Sequence, residues 1–347
     1  MKTKLFFSVF LAILFGGSFS VSAHDFEVSM NDGNVYYVNV LDTLLRTAEL
    51  TYAGEYSRPD RINAKGVVSV PETVSHNEKE YRIVKIGIKA FCSGDRIESV
   101  ILPSSVKTIS EFAFEGCTSL KSIVFPGSQV KIEDGAFWNC TDIEDISFGS
   151  DWTEVNFEHF KWSTSLKNIE IPAKVRKILH LRAIKSLENI NVDGKNSVFA
   201  SVEGVLYSWD KSVLYTCPVA HKSDVIVPEG TKSILRGAFL ECGFVESVSL
   251  PSSMEEISFA DFAPLGSLKS LKLNSVNPIM TAQLDGEKVF ALKLAPSARL
   301  YVPKASVKTY MKMICSSAGK YESLDGKDNI ECSEADLLSA DNIKKIK

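Results

Sequence analysis

Residues 86–154 read IGIKAFCSGDRIESVILPSSVKT, ISEFAFEGCTSLKSIVFPGSQVK and IEDGAFWNCTDIEDISFGSDWTE, three consecutive segments of 23 residues that begin at Ile86, Ile109 and Ile132. One apolar position recurs along most of the chain, at gaps of 32, 23, 23, 23, 21, 35, 23, 23 and 29 residues. It is occupied by Val68, Val100, Ile123, Ile146, Ile169, Ile190, Val225, Val248, Leu271 and Leu300. Such a period predicts a solenoid of about ten stacked repeats, here called rungs.

The segment LKSIVFP at 120–126 shows how one rung is built. We expect Leu120, Ile123 and Phe125 to face the core on a short parallel strand. Pro126 should end that strand because proline cannot donate to the hydrogen-bond ladder. The Ala113-Phe114 pair is expected on the opposite wall, where the ring fills the core and the small Ala lets neighbouring rungs approach closely. Each rung buries its apolar face only by stacking.

The pattern A-F-x-x-C-x-x-L-x-x-I-x-(I/L/F)-P, followed by V-x-x-I, resembles the BspA-type leucine-rich repeats of bacterial surface proteins. The stretch SVFASVEGVLYSWDKSVLYTCP, within residues 194–233, looks like that family's hairpin insertion, and LYVPKASVKTYM at 300–311 resembles its terminal unit. The resemblance covers about residues 26–325. It implies a right-handed superhelix with a parallel β-sheet, and adhesion to host or microbial surface molecules. It is weaker evidence for a biochemical role, because repeat folds host many binding tasks.

The chain starts with a segment typical of export. Lys2 and Lys4 precede an apolar run, and Val21-Ser22-Ala23 has the small-x-small character of a cleavage site, so a signal peptide cleaved near Ala23 is predicted. The predicted domains are 1–23, signal peptide; 24–65, N-terminal cap with a hairpin; 66–193, repeat block; 194–233, β-hairpin insertion; 234–303, second repeat block; 304–347, a C-terminal cap with a short helix over Ser306–Ile314 and a tail frayed at Ile343–Lys347.

Composition excludes several functional classes. A net charge of −4 does not suit a nucleic-acid-binding protein, and no apolar stretch after the leader is long enough to span a bilayer. The chain has five His, and none stands in a catalytic or metal-binding motif. His76 and His221 are expected in polar loops, while His159 and His180 replace repeat residues on successive rungs. We therefore expect no enzyme, no cofactor and no metal.

The cysteines follow the repeat. Cys117, Cys140 and Cys242 lie eight residues after Ile109, Ile132 and Ile234, and Cys92 lies close to the same place in its rung. They are expected to form a column of buried thiols. The chain holds seven Cys, an odd number, so at least one thiol should lack an intramolecular partner. The candidate disulfide is a bond between Cys315 and Cys332 in the C-terminal cap.

Two groups of residues are candidates for ligand contact. The outward positions of the sheet change from Ser and Val to acid and amide side chains in mid-chain, which suits protein or glycan recognition but also fits a merely solvated face. The second group is aromatic, and exposed Trp is a common anchor for proteins and sugars. The first group comprises Asp145, Asn168, Glu170, Asn189 and Asn191; the second comprises Trp138, Trp152, Trp162 and the neighbouring His159.

These patterns predict a non-catalytic, exported bacterial protein, monomeric, that binds a protein or glycan on a host or bacterial surface. It would act at the cell surface or outside the cell. The alternative is a periplasmic or outer-membrane accessory protein that uses the solenoid to hold a partner protein.

Overall fold

The structure is a computed structural model that describes residues 24–30, 33–55, 58–59, 64–257, 262 and 265–276, and seven short strands between Ile279 and Ile346. The predicted leader, the predicted helix over Ser306–Ile314, Cys315 and Cys332 lie outside the described residues. Two compact units are present, one formed by residues up to Gly149 with Glu158–Ser165, the other by Ser150–Phe157 and the residues from Leu166 onward. The domain boundaries drawn from the sequence stay predictions.

The described strands of the first unit are β1 (Phe26–Ser29), β2 (Val35–Asp42), β3 (Thr47–Thr51), β4 (Gly54–Glu55), β5 (Arg58–Pro59), β6 (Gly66–Ser69), β7 (Thr73–His76), β8 (Lys79–Ile86), β9 (Ile97–Ile101), β10 (Thr108–Ile109), β11 (Ser122–Val124), β12 (Lys131–Ile132) and β13 (Asp145–Ser147). β6, β9, β11 and β13 form one parallel ladder with Val68, Val100, Ile123 and Ile146 in register. β8, β10 and β12 form a second parallel ladder.

The N-terminal hairpin is present as predicted. β1 runs antiparallel to β2, with Phe26 opposite Val38, and β3 runs antiparallel to the other side of β2. β3 then pairs in parallel with β8, the first strand of the second ladder. The cap therefore covers the start of that ladder and satisfies backbone groups that an open sheet edge would leave unpaired.

In the second unit the strands are β14 (Glu154–Asn156), β15 (Asn168–Ile171), β16 (Lys177–Leu179), β17 (Asn189–Val192), β18 (Phe199–Val202), β19 (Val205–Ser208), β20 (Val213–Thr216), β21 (Val225–Ile226), β22 (Ser233–Ile234), β23 (Ser247–Leu250), β24 (Glu256–Ile257), β25 (Ser270–Leu273), β26 (Ile279–Met280), β27 (Gln283–Leu284), β28 (Glu287–Lys288), β29 (Arg299–Pro303), β30 (Tyr321–Glu322), β31 (Asn329–Ile330) and β32 (Ile343–Ile346). A 3-10 helix covers Leu181–Ala183, and another, Phe157–Phe160, belongs to the first unit from Glu158 onward.

The repeat register continues in this unit. Ile169 pairs with Ile190, and Val225, Val248, Leu271 and Leu300 are in register across β21, β23, β25 and β29. All ten positions of the aligned sequence column thus lie on strands, which confirms the predicted leucine-rich-repeat solenoid with a parallel sheet.

The insertion and the chain end add to the repeats. β18, β19 and β20 form an antiparallel meander whose first turn holds Glu203 and Gly204 at positive φ. At the other end, β32 pairs in parallel with β29, from Leu300 opposite Ile343 to Pro303 opposite Ile346. The prediction of a frayed end over Ile343–Lys347 is therefore wrong for Ile343–Ile346, because the free edge of β29 offers these residues a backbone ladder.

The core of the first unit is a column of aromatic rings. Phe91 stacks on Phe114 with centroids 5.0 Å apart and the planes at 1°, and Phe114 stacks on Phe137 at 5.3 Å. Phe160 continues the column at 5.2 Å from Phe137. The predicted inward residues Leu120, Ile123 and Phe125 are all buried.

The thiols follow the predicted column with one exception. The Cys117 and Cys140 thiols are buried and donate to the carbonyl oxygens of Phe91 and Phe114, at 3.2 and 3.1 Å. The hydrogen bond with Cys140, together with burial, holds the pKa of Cys117 well above its ordinary value. Cys92 is half-buried and stands at the repeat offset of Trp138, not in the column. Its placement in the column was wrong because Gly94 takes that position, 23 residues before Cys117.

Candidate binding surface

The candidate tryptophans differ in solvent exposure. Trp138 and Trp162, both in the first unit, are 43% and 49% exposed, whereas Trp152 in the second unit is 2% exposed. The prediction that Trp152 contacts a ligand is therefore wrong. Its neighbours in sequence are polar, but the indole itself is a large apolar group whose transfer from water to the core is strongly favourable.

Two histidines also differ from expectation. His221 was predicted in a polar loop, yet it is 2% exposed and its Nδ1 lies 2.9 Å from the carbonyl oxygen of Glu188. His76 lies on β7 and stacks on Phe26 with centroids 4.1 Å apart. Both rings thus serve packing. His159 is half-buried on the same rung as Trp162.

Trp138 and Trp162 lie on consecutive rungs of the first unit, and the amide of Thr164 joins these rungs by donating to Thr141 O at 3.0 Å. A third ring, that of the partly exposed Phe112, stands beside Trp138 with centroids 5.6 Å apart and the planes at 68°. The two rings form a corner rather than a flat stack. Phe112, Trp138 and Trp162 are called the aromatic surface below.

Phe112 is held in an unusual backbone conformation. Its φ is 58°, and the same left-handed position one rung before and after is taken by Lys89 at 55° and Gly135 at 68°. A bulky residue in this region is rare, and the strain is worth about 1–3 kcal/mol. Gly135 makes the arrangement possible, because a Cβ atom there would lie 2.6 Å from the Phe112 ring. The left-handed backbone recurs at this position of the repeat, and at Phe112 it carries a large ring instead of a glycine or a flexible side chain.

Charged residues stand close to the rings in sequence, on the same and adjacent rungs. Glu111 and Asp134, which precede Phe112 and Gly135, are both exposed. On the next rung Lys161 pairs with Glu158 at 2.6 Å. Glu133 pairs with Lys131 at 2.8 Å, and this hydrogen bond lowers the pKa of Glu133. The repeat thus presents exposed acidic residues on the rungs that carry the aromatic rings.

The outward faces of the sheets form different surfaces in the two units. In the first unit Ser99, Ser122 and Asp145 are in register, and the Ser122 hydroxyl donates to that of Ser99 at 2.7 Å. In the second unit the structure brings four predicted site residues together as two cross-strand pairs. Their amides donate along the ladder, Asn189 to Asn168 and Asn191 to Glu170, both at 2.9 Å. Part of their hydrogen-bonding capacity is therefore used within the sheet.

The exposed Trp209 and the partly exposed Phe112 escaped the sequence analysis. Trp209 is 64% exposed at the turn between β19 and β20, and its place between Ser208 and Asp210 could have indicated a loop. Phe112 was missed because its left-handed backbone has no sequence signal of its own. Its alignment with Gly135 and Gly237, both at positive φ, could have revealed the position.

Across the described residues, no cluster of three or more His, Cys, Asp or Glu has the arrangement of a metal site. In that same part of the chain no helix is both long and apolar enough to cross a membrane.

Comparison with solved structures finds several leucine-rich-repeat proteins. The pneumococcal vaccine antigen PcpA shares 18% identity over 93% of this chain and 99% of its own, with a TM-score of 0.45. A protein from Bacteroides ovatus shares 20% identity over 80% of this chain and 71% of its own, with a TM-score of 0.48. A cell surface protein from Faecalibacterium prausnitzii shares 20% identity over 81% and 89%, with a TM-score of 0.38.

None of the proteins of curated function that were compared matches the chain. The profile of the BspA type leucine-rich repeat region, in contrast, matches residues 84–201 and 210–288 in six copies. These two ranges make up more than half of the sequence and contain eight of the ten aligned strand positions, all except Val68 and Leu300. The chain belongs to the BspA-type leucine-rich repeat family.

Proposed function

We propose that this chain is a non-catalytic, exported binding protein, adhesin-like, that holds a molecule of a host or bacterial surface on the aromatic surface of its first unit. One observation carries the proposal: two half-exposed indoles stand on consecutive rungs, and the partly exposed Phe112 ring packs against one of them, Trp138. Aromatic side chains with large exposed areas are the commonest anchors of binding interfaces.

The surface is suited to contact. Phe112 and Trp138 project from a backbone fixed by hydrogen bonds between rungs, such as Phe114 N to Ala136 O at 2.8 Å and Gly116 N to Trp138 O at 2.8 Å. A rigid scaffold lowers the entropy lost on binding, because the rings need not be ordered by the partner. Membership of a repeat family whose fold presents extended surfaces supports the same function.

The experiment is a screen of the purified chain against panels of matrix proteins, bacterial surface proteins and glycans. Each binder is then measured with Trp138→Ala and Trp162→Ala, and with Trp209→Ala as the matched control, since Trp209 is exposed in the second unit. We expect the first two variants to weaken binding about tenfold or more, as is usual for an interface anchor, and the control to bind normally. Binders that none of the first-unit variants affects would refute the proposed site.

The cellular location of this chain is tested in a separate experiment. The leader-like sequence over residues 1–23 supports export. Protease treatment of intact cells should release fragments of this chain into the medium if it is displayed at the surface. Protection of the chain until the outer membrane is permeabilised would favour the periplasmic accessory role instead.

A further inference from the structure

We propose that the aromatic surface binds a cationic segment of a partner protein, a stretch rich in Arg or Lys, in preference to a neutral glycan. This inference rests on the proposed function, because it names the chemistry of the partner for the same surface. It follows from the acidic residues on the rungs that carry the rings.

The rung that carries Trp138 is purely acidic. The charged side chains between Ile132 and Gly149 are five carboxylates, and this range contains no Lys, Arg or His. Four of the five acids are exposed, whereas the fifth is the partly covered Glu133 that pairs with Lys131. The exposed ones are Asp134, Asp142, Glu144 and Asp145.

The preceding rung adds two carboxylates at the offsets of Asp134 and Trp138. Glu111 stands at the repeat offset of Asp134, and Glu115 stands at the offset of Trp138. Parallel rungs are about 4.8 Å apart, so residues at one offset are neighbours. Among the nearby cations, Lys131 is bound to Glu133 and Lys161 to Glu158. Lys89 stands at the offset of Phe112 on the preceding rung, so the three carboxylates of Glu111, Glu115 and Asp134 outnumber this one further cation.

The rings favour the same sign of ligand. The face of an aromatic ring carries negative electrostatic potential, and a guanidinium or ammonium group over it is stabilised. In the T-shaped arrangement of Phe112 and Trp138, a bound cation would lie over the face of one ring and beside the edge of the other. Gly135 lets the Phe112 ring pack closely on its backbone, since a Cβ atom there would lie 2.6 Å from the ring, and this contact fixes the corner between the two rings. A neutral sugar would gain from the rings alone, whereas a cation gains from rings and carboxylates together.

The test measures a fluorescein-labelled oligo-arginine peptide binding to the full chain by fluorescence anisotropy. We expect Trp138→Ala to weaken binding about fivefold or more, and the pair Glu111→Gln with Asp134→Asn to weaken it by a similar factor. Trp138→Phe should retain part of the affinity because it keeps a ring. Binding should also weaken steadily as the salt concentration rises.

Two controls address non-specific attraction to an acidic protein. Trp209→Ala removes an exposed indole of the second unit, and Asp224→Asn removes an exposed carboxylate there; neither should change the affinity. Thermal unfolding of each variant at the wild-type temperature shows that the fold is retained.

The outcomes separate the two proposals. Oligo-arginine binding that Trp138→Ala leaves unchanged overturns the cationic partner. So does a neutral oligosaccharide that binds through Trp138 and ignores salt, but this result would support the proposed binding function. If the screen of surface molecules also finds no binder that depends on the aromatic surface, the proposed function fails as well.

Discussion

The close approach of Gly135 to Phe112 gives the sharpest test of how the aromatic surface is built. In Gly135→Ala the new methyl group would lie 2.6 and 2.7 Å from two ring atoms of Phe112, on a backbone with φ of 68°. The left-handed backbone alone costs an L-residue about 1–2 kcal/mol. Displacing the ring adds the cost of overpacking, typically about 1–3 kcal/mol. We therefore expect the free energy of unfolding of the first unit to fall by about 2–5 kcal/mol.

Gly116→Ala is the matched control. Gly116 has φ of 74°, but the nearest atom to its added Cβ would be 3.7 Å away, an ordinary contact. This variant should lose only the backbone contribution of about 1–2 kcal/mol. Urea titrations followed by tryptophan fluorescence measure both, with the comparison made on midpoints at equal slope.

A double-mutant cycle isolates the ring contact. Combining Gly135→Ala with Phe112→Ala removes the ring that the methyl group would strike, so the added loss should shrink to that of the Gly116→Ala control. If Gly135→Ala were no more destabilising than Gly116→Ala, or if Phe112→Ala gave no relief, the geometry proposed for this corner would be refuted.

Three further outcomes follow from the burial of particular groups. Trp152→Ala should destabilise the second unit by about 3–5 kcal/mol because it removes a buried indole. Trp138→Ala, which removes an exposed indole, should change the free energy of unfolding by less than about 1 kcal/mol. Equal losses of stability in chemical denaturation would contradict these burial assignments. The buried Cys117, Cys140, Cys217 and Cys242 should react with a thiol reagent only after denaturation, and mass mapping of labelled native protein would reveal an error if any of them were modified quickly. Burial raises the pKa of Tyr207 above the unfolded value of about 10. Its contribution to the free energy of unfolding is therefore complete below about pH 10 and is lost as the pH rises above that value. Tyr207→Phe should unfold less readily in alkali than the wild type, and identical pH profiles of stability would show that Tyr207 does not cause the alkaline loss.

The sequence was sufficient for the features that repeat. The period placed Ile123 and its aligned residues on strands, and it put Phe114 and Cys140 in the core, because identical offsets must meet identical neighbours in a stack. It failed where one residue departs from the pattern. Cys92 is two residues away from the position of the thiol column, and Gly94 stands in its place. Trp152 lies among polar residues, and sequence alone does not give the direction of a side chain in an irregular turn.

The candidate surface depends on the least predictable property of the rung, its backbone conformation at single positions. The left-handed site before each Ala-Phe pair is filled by Lys89, Phe112 and Gly135 on successive rungs, yet the buried Phe91, Phe114 and Phe137 stack without interruption. Core and surface are therefore specified by different residues of the same short segment. The stack of buried rings thus tolerates a cation, a ring or a bare backbone at this site, but the ring of Phe112 requires the glycine at 135, because a Cβ atom there would lie 2.6 Å from it.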